Sequence, residues 1–230
     1  MNLLPKGRLD AFADGVFAIV ITLLVLDLTV PEGSTDVLSG LLQEWPVFLA
    51  YLISFAFIGS VWISHSSVTR LMKQETTHSY RLTLLMLFFV SLLPFTTKLM
   101  ASYLGNPPEV PDTIFGSDIM SATRMINTIS RSALSTPVAI YGLNLLAATL
   151  SLIAIIRSAI ITPEILADES AEEELNALLR REHLGAAIIV CTIILAVFFP
   201  IIAVSGFIVV SVLFFLTPTI TTAKATLKNR

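Results

Sequence analysis

The apolar residues of this chain fall in blocks long enough to cross a lipid bilayer, and no other feature constrains its fold as strongly. An α-helix crosses the roughly 30 Å hydrocarbon core with about 20 residues. The first block, about residues 11–30, is apolar except for Asp14 near its start and Asp27 near its end. Three more cover about 46–68, 81–104 and 137–161. The last run, from Leu184 to Leu216, is too long for a single crossing even with tilt. Pro200 and the pair Ser205-Gly206 interrupt it, so it reads as two short spans, about 185–204 and 207–223, with a tight turn between them. The predicted fold is all-α: six transmembrane helices forming one domain over residues 1–230.

The charges orient those helices. With six spans and the N-terminus inside, eleven of the fourteen Lys and Arg residues fall on the inner side. Only Lys98, Arg124 and Arg131 fall outside. Such an excess of positive charge marks the cytoplasmic face, so a multi-pass protein of the cell (inner) membrane with both termini cytoplasmic is expected. Charged residues make up only 13% of the sequence, about half the share of a soluble domain. A net charge of −3 leaves no basic footprint for nucleic acid. Cys191 is the single cysteine, which excludes an internal disulfide and a thiolate metal cage.

The first span is about twice the length of a signal-peptide core and ends in an acid, so it is expected to be a membrane helix. Two segments outside the membrane are long enough to fold locally. The outer loop, about 105–136, opens with Asn106-Pro107-Pro108 and predicts a loop plus a short helix. The inner segment, about 162–182, starts Thr162-Pro163-Glu164 and ends with Arg180-Arg181. Early acids and late bases suit a helix dipole, so a solvated connecting helix is expected there.

The first span carries the unusual chemistry. A carboxylate inside a membrane helix is costly unless it is paired or wet, and Asp14 lies near the cytoplasmic end. Arg8 is six residues earlier, on a different side of the helix, so each needs a partner from elsewhere. Trp62 and His65 of the second span lie at the same depth and offer an indole N–H and an imidazole. A polar clamp between spans one and two is the favoured reading. An interfacial acid and an Asp14–His65 proton relay are the alternatives. Deeper in the helix, Ile19, Thr22, Leu23 and Leu26 share one face, and Phe12 and Gly15 extend that stripe toward the cytoplasm. Spacing alone leaves packing and pore lining both open.

The segment from Arg8 through Phe12, Ala13 and Asp14 to Ile19 resembles the Arg-x-x-x-Phe-Ser-Asp signature of the prokaryotic relatives of transmembrane protein 175, the endolysosomal potassium channel. The likeness continues through residues 21–27, Trp62-x-x-His65 and Leu93-Pro94-Phe95-Thr96. Ala13 departs from the usual serine. The resemblance implies a homotetrameric, potassium-selective leak channel whose pore is lined by the first helix of each subunit. It further implies that Ile19 forms the narrowest apolar ring, that Leu23 and Leu26 form further rings, and that Thr22 supplies hydroxyl oxygens. Arg8, Phe12 and Asp14, with Trp62 and His65, would be the structural clamp. Potassium ions, the bilayer and further copies of the chain are the partners implied, with no cofactor and no resident metal.

A secondary transporter or proton-coupled cation carrier is the alternative function. It would want broken helices or ionisable groups near the midplane, where this sequence offers only Pro94 and Pro200. An enzyme is not expected: His65, His78 and His183 lack metal-ligand spacing, and no nucleophile or phosphate-loop motif is present.

Overall fold

The structure is a computed structural model that describes residues 3–26, 28, 37–105, 119–168 and 170–216. Helices dominate it. The chain opens with a two-residue strand β1 (Leu3–Leu4) and continues into α1 (Gly7–Val25). A short α2 (Val37–Gln43) precedes α3 (Trp45–Arg70), which starts with Pro46 in its first turn and ends with Arg70 in its last. Both placements suit the free N–H groups and the dipole at helix ends.

Strand β2 (Glu75–Thr76) pairs antiparallel with β1, Leu3 opposite Thr76 and Leu4 opposite Glu75. Helix α4 (Thr77–Ser91) follows, capped by Thr76, whose hydroxyl accepts from the Ser79 N–H at 3.0 Å. A bend at Leu92, two residues before Pro94, separates α4 from α5 (Leu93–Gly105), and together they make one apolar path. Helix α6 (Ile119–Ile161) then packs against α4, α5 and α7, which places it at the centre of the bundle.

Four stretches are long and apolar enough to cross a membrane: Trp45–Arg70, Thr77–Leu104, Ser135–Ile161 and Ala171–Phe198. Helix α1 is shorter and carries Arg8, Asp10 and Asp14. Helix α8 (Pro200–Leu216) is apolar but also short. With these two, the chain is a multi-pass membrane protein of the expected kind.

Several boundaries differ from expectation. The first helix begins at Gly7 and ends at Val25, several residues earlier than the 11–30 expected, and Asp27 lies outside the described residues. The turn in the long C-terminal run is at Phe199–Pro200, not at Ser205-Gly206. Pro200 lacks the N–H that would continue α7 (Ala171–Phe198), but it fits the first turn of α8. Gly206 serves packing instead: a Cβ there would run into Thr192 of α7. Small residues at such positions let membrane helices approach closely. The predicted end at residue 223 lies outside the described residues, as do the basic residues Lys224, Lys228 and Arg230.

The inner segment also departs from the expected connecting helix. Thr162-Pro163-Glu164 starts only a single 3₁₀ turn, Pro163–Ile165. The chain then bridges to the end of α3, where the Lys73 N–H donates to Ile165 O at 2.7 Å. Asp168 accepts from the N–H groups of Ser170 and Ala171 and so launches α7. That helix runs unbroken through Arg180-Arg181 into the fifth span. Arg181 is therefore mid-helix, and its Nη2 donates to Phe214 O of α8 at 2.8 Å while its guanidinium lies 4.8 Å from the Phe214 ring centre. Of the outer loop, residues 106–118 lie outside the described residues, and the helical part after them is continuous with the fourth span.

Candidate functional site

The two sides of α1 differ sharply. Leu9, Ala13, Phe17, Val20 and Leu24 are buried and face the bundle. Phe17 is 2% exposed, whereas Ile19, two residues on, is 60% exposed. At about 100° per residue, Arg8, Phe12, Gly15, Ile19, Thr22, Leu23 and Leu26 share an arc of about 100° on the open side. All seven are exposed or, at Gly15, have open space where a side chain would stand. The Thr22 hydroxyl donates to Ile19 O at 2.8 Å, one turn back, which satisfies it within its own helix. Its lone pairs remain on the open face.

Ala13 is fully buried, so the methyl that stands where serine is usual needs no hydrogen-bond partner. Asp14 points away from both faces. Its Oδ1 accepts from the Trp62 indole N–H at 2.9 Å, which ties α1 to α3 at the expected depth. His65 takes a different place. It is buried, its ring centre lies 6.2 Å from that of Phe17, and it makes no hydrogen bond to Asp14. Its Nε2 has no partner among the described residues.

Arg8 and Phe12 do not join this contact within one chain. Arg8 is exposed and makes no hydrogen bond or ion pair among the described residues, and Phe12 is 54% exposed. Both lie on the open stripe with Ile19. The base that anchors the foot of α1 is instead Lys6, whose ammonium donates to Thr69 O at 2.8 Å and Met72 O at 2.7 Å. It thereby adds a charged donor to carbonyls at and just beyond the end of α3, where a cation suits the helix dipole. Lys6 and Arg70 join Asp10, Asp14, His65 and Thr69 around a polar cavity of about 280 Å³ at this foot.

Glu75 is a second residue that sequence reasoning passed over. Its side chain is fully buried under β1, and neither carboxylate oxygen has a hydrogen-bond partner among the described residues. Burial pushes its pKa up to about 7, against the nearby Ser79 hydroxyl and Lys6, while Asp10 adds to the rise. In the sequence it is one acid in a polar connection, Lys73-Gln74-Glu75, and nothing local distinguishes it from a solvated one. Among the described residues no cluster of three His, Cys, Asp or Glu side chains is placed to hold a metal ion.

Comparisons with known proteins fit this geometry. Residues 8–94 match the family described as the endosomal/lysosomal potassium channel TMEM175. A Chamaesiphon minutus protein named as a potassium channel is 36% identical over 132 residues, which cover 55% of this chain and 65% of that protein. A Streptomyces collinus protein, also named as a potassium channel, is 41% identical over 101 residues, covering 43% and 49% respectively. The matched stretch thus spans about half of one of these curated relatives and just under two thirds of the other. A crystal structure described as a lysosomal potassium-selective channel TMEM175 homolog from Chamaesiphon minutus superposes with a TM-score of 0.73 at 26% identity. That match covers 92% of this chain and 96% of the other.

Proposed function

We propose that this chain, a member of the TMEM175 family, conducts potassium ions passively across a membrane through a central pore. Four copies would place the open stripes of their α1 helices around one axis, as closed symmetry requires of identical subunits. The observation that carries this reading is the two-sided character of α1, with Phe17 and Val20 packed inside and Ile19, Thr22, Leu23 and Leu26 exposed.

In that assembly Ile19 forms the narrowest ring, with Leu23 and Leu26 beyond it. A narrow apolar constriction holds water poorly and gates by dewetting. Potassium sheds its hydration more easily than sodium, so an apolar neck beside the Thr22 hydroxyls favours it. The Trp62–Asp14 bond holds the pore helix from behind, and Arg8 and Phe12 line the inner mouth or meet a neighbouring copy. All six spans act as one domain. The excess of bases on the end that holds Lys6, Arg70 and Arg157 supports a cell-membrane orientation with both termini cytoplasmic.

Flux from liposomes containing the purified full chain tests the proposal. Passive potassium flux down its gradient, exceeding sodium flux and needing no counter-ion, is the expected result. Flux that runs only in strict exchange with a second ion overturns it in favour of a transporter.

A further inference from the structure

At the same basic end of the bundle, a cavity of about 510 Å³ opens between the start of α4 and the end of α6. It lies well apart from the stripe on α1. We infer that this cavity binds the phosphate group of an anionic phospholipid of the inner leaflet.

The charge of the lining is one-sided. Arg157 contributes a guanidinium and His78 an imidazole, with hydroxyls from Thr77 and Ser158, and among the described residues no carboxylate lines the cavity. Arg157 is also held in place without being neutralised. Its Nη2 donates to His183 Nε2 at 2.8 Å, and the other ring nitrogen, His183 Nδ1, lies 2.7 Å from Leu179 O. A ring whose Nδ1 donates to a carbonyl presents Nε2 as an acceptor, the neutral tautomer. The guanidinium therefore keeps its full charge and its other N–H groups, in a fixed orientation. Such a fork matches phosphate oxygens.

Helix α4 adds to the field without carrying the argument. Its cap satisfies only the Ser79 N–H, so the N–H groups of Thr77 and His78 remain directed out of the helix start.

The apolar part of the lining favours a lipid over a free anion. Ala154 and Ile161 form one wall, and Ile161 is 79% exposed on the last turn of a membrane-spanning helix. A span that ends at the bilayer surface puts its last turn at the level of the leaflet phosphates, with glycerol and acyl chains beginning just beneath. Basic pockets between membrane helices on the cytoplasmic side suit anionic headgroups.

The test uses the purified full chain in detergent, with native mass spectrometry reading bound lipid. The probes are dioctanoyl phosphatidylglycerol, dioctanoyl phosphatidylcholine and inorganic phosphate. Phosphatidylglycerol is expected to bind about tenfold more tightly than phosphatidylcholine. Arg157→Gln and Thr77→Glu should each remove that preference, while Arg180→Gln, on an exposed face elsewhere, should keep it. Thr77→Glu leaves the Arg157–His183 contact in place and puts an acid at a helix start, where acids are favoured. Its loss of binding therefore reports charge rather than misfolding. Equal binding of the two lipids overturns the inference, as does a preference that survives both variants. Inorganic phosphate binding as tightly as phosphatidylglycerol overturns the lipid assignment. None of these readouts depends on ion conduction.

Discussion

Trp62 and Asp14, 48 residues apart in sequence, are joined by a single hydrogen bond of 2.9 Å, and through it α3 grips α1. The bond answers the cost of a carboxylate in a membrane helix. Trp62→Phe removes the donor and keeps most of the ring. A loss of about 1 kcal/mol is expected, read as a lower melting temperature and a smaller yield of assembled protein, with potassium-over-sodium selectivity retained. A variant that assembles fully but discriminates ions differently would place Trp62 in selectivity rather than in support.

Ile19 tests the constriction directly. Ile19→Asn replaces an apolar ring with one that holds water, so flux should rise several-fold and the preference for potassium should shrink. Single-channel recording in a planar bilayer measures both, and unchanged conductance would remove Ile19 from the neck.

Glu75 makes the β1–β2 strap sensitive to pH. Its folded-state pKa, about 7, lies above the ordinary 4.5 because burial disfavours the charged form. The native state therefore binds this proton more tightly than the unfolded chain does. The stability that Glu75 contributes is fully present below about pH 4.5, is lost as pH rises from there through about 7, and then levels off. The loss is on the order of 3 kcal/mol. Glu75→Gln should flatten this dependence and leave the protein more stable than the parent at pH 8. Hydrogen exchange of the strap amides between pH 5 and 8 checks it, and identical profiles for both proteins would refute it.

Gly206 and Thr192 meet in a tight seam between α7 and α8. Gly206→Ala should overpack it and cost roughly 1–3 kcal/mol. Thr192→Ala removes Oγ1 and Cγ2, the two nearest atoms that the new methyl meets, so the double variant should recover most of the loss. Thermal melts of the two single variants and the double measure the coupling; simple additivity would argue against the contact.

Much of this molecule is local and so legible from residue order. Helix rise and bilayer thickness turned runs of apolar residues into spans, and a period of 3.6 residues put Ile19, Thr22, Leu23 and Leu26 on one face. The misfit of Asp14 in an apolar run pointed to a partner at the depth of Trp62. The turn in the last run was misplaced because Ser205-Gly206 and Pro200 both read as breaks. Only packing distinguished a glycine needed for close approach to Thr192 from a proline that ends a helix.

Which polar groups meet was likewise outside the reach of sequence. His65 turned to Phe17 rather than Asp14, Arg8 stayed on the open stripe, and Lys6 took the carbonyls at the end of α3. Glu75 became a buried acid because a strand more than 70 residues earlier covers it. The solvent, the approximate spans and the apolar stripe are legible in residue order, since those follow from length and period along one helix. Tertiary structure decided the partners and the burial, since both depend on which distant segments the whole bundle brings together.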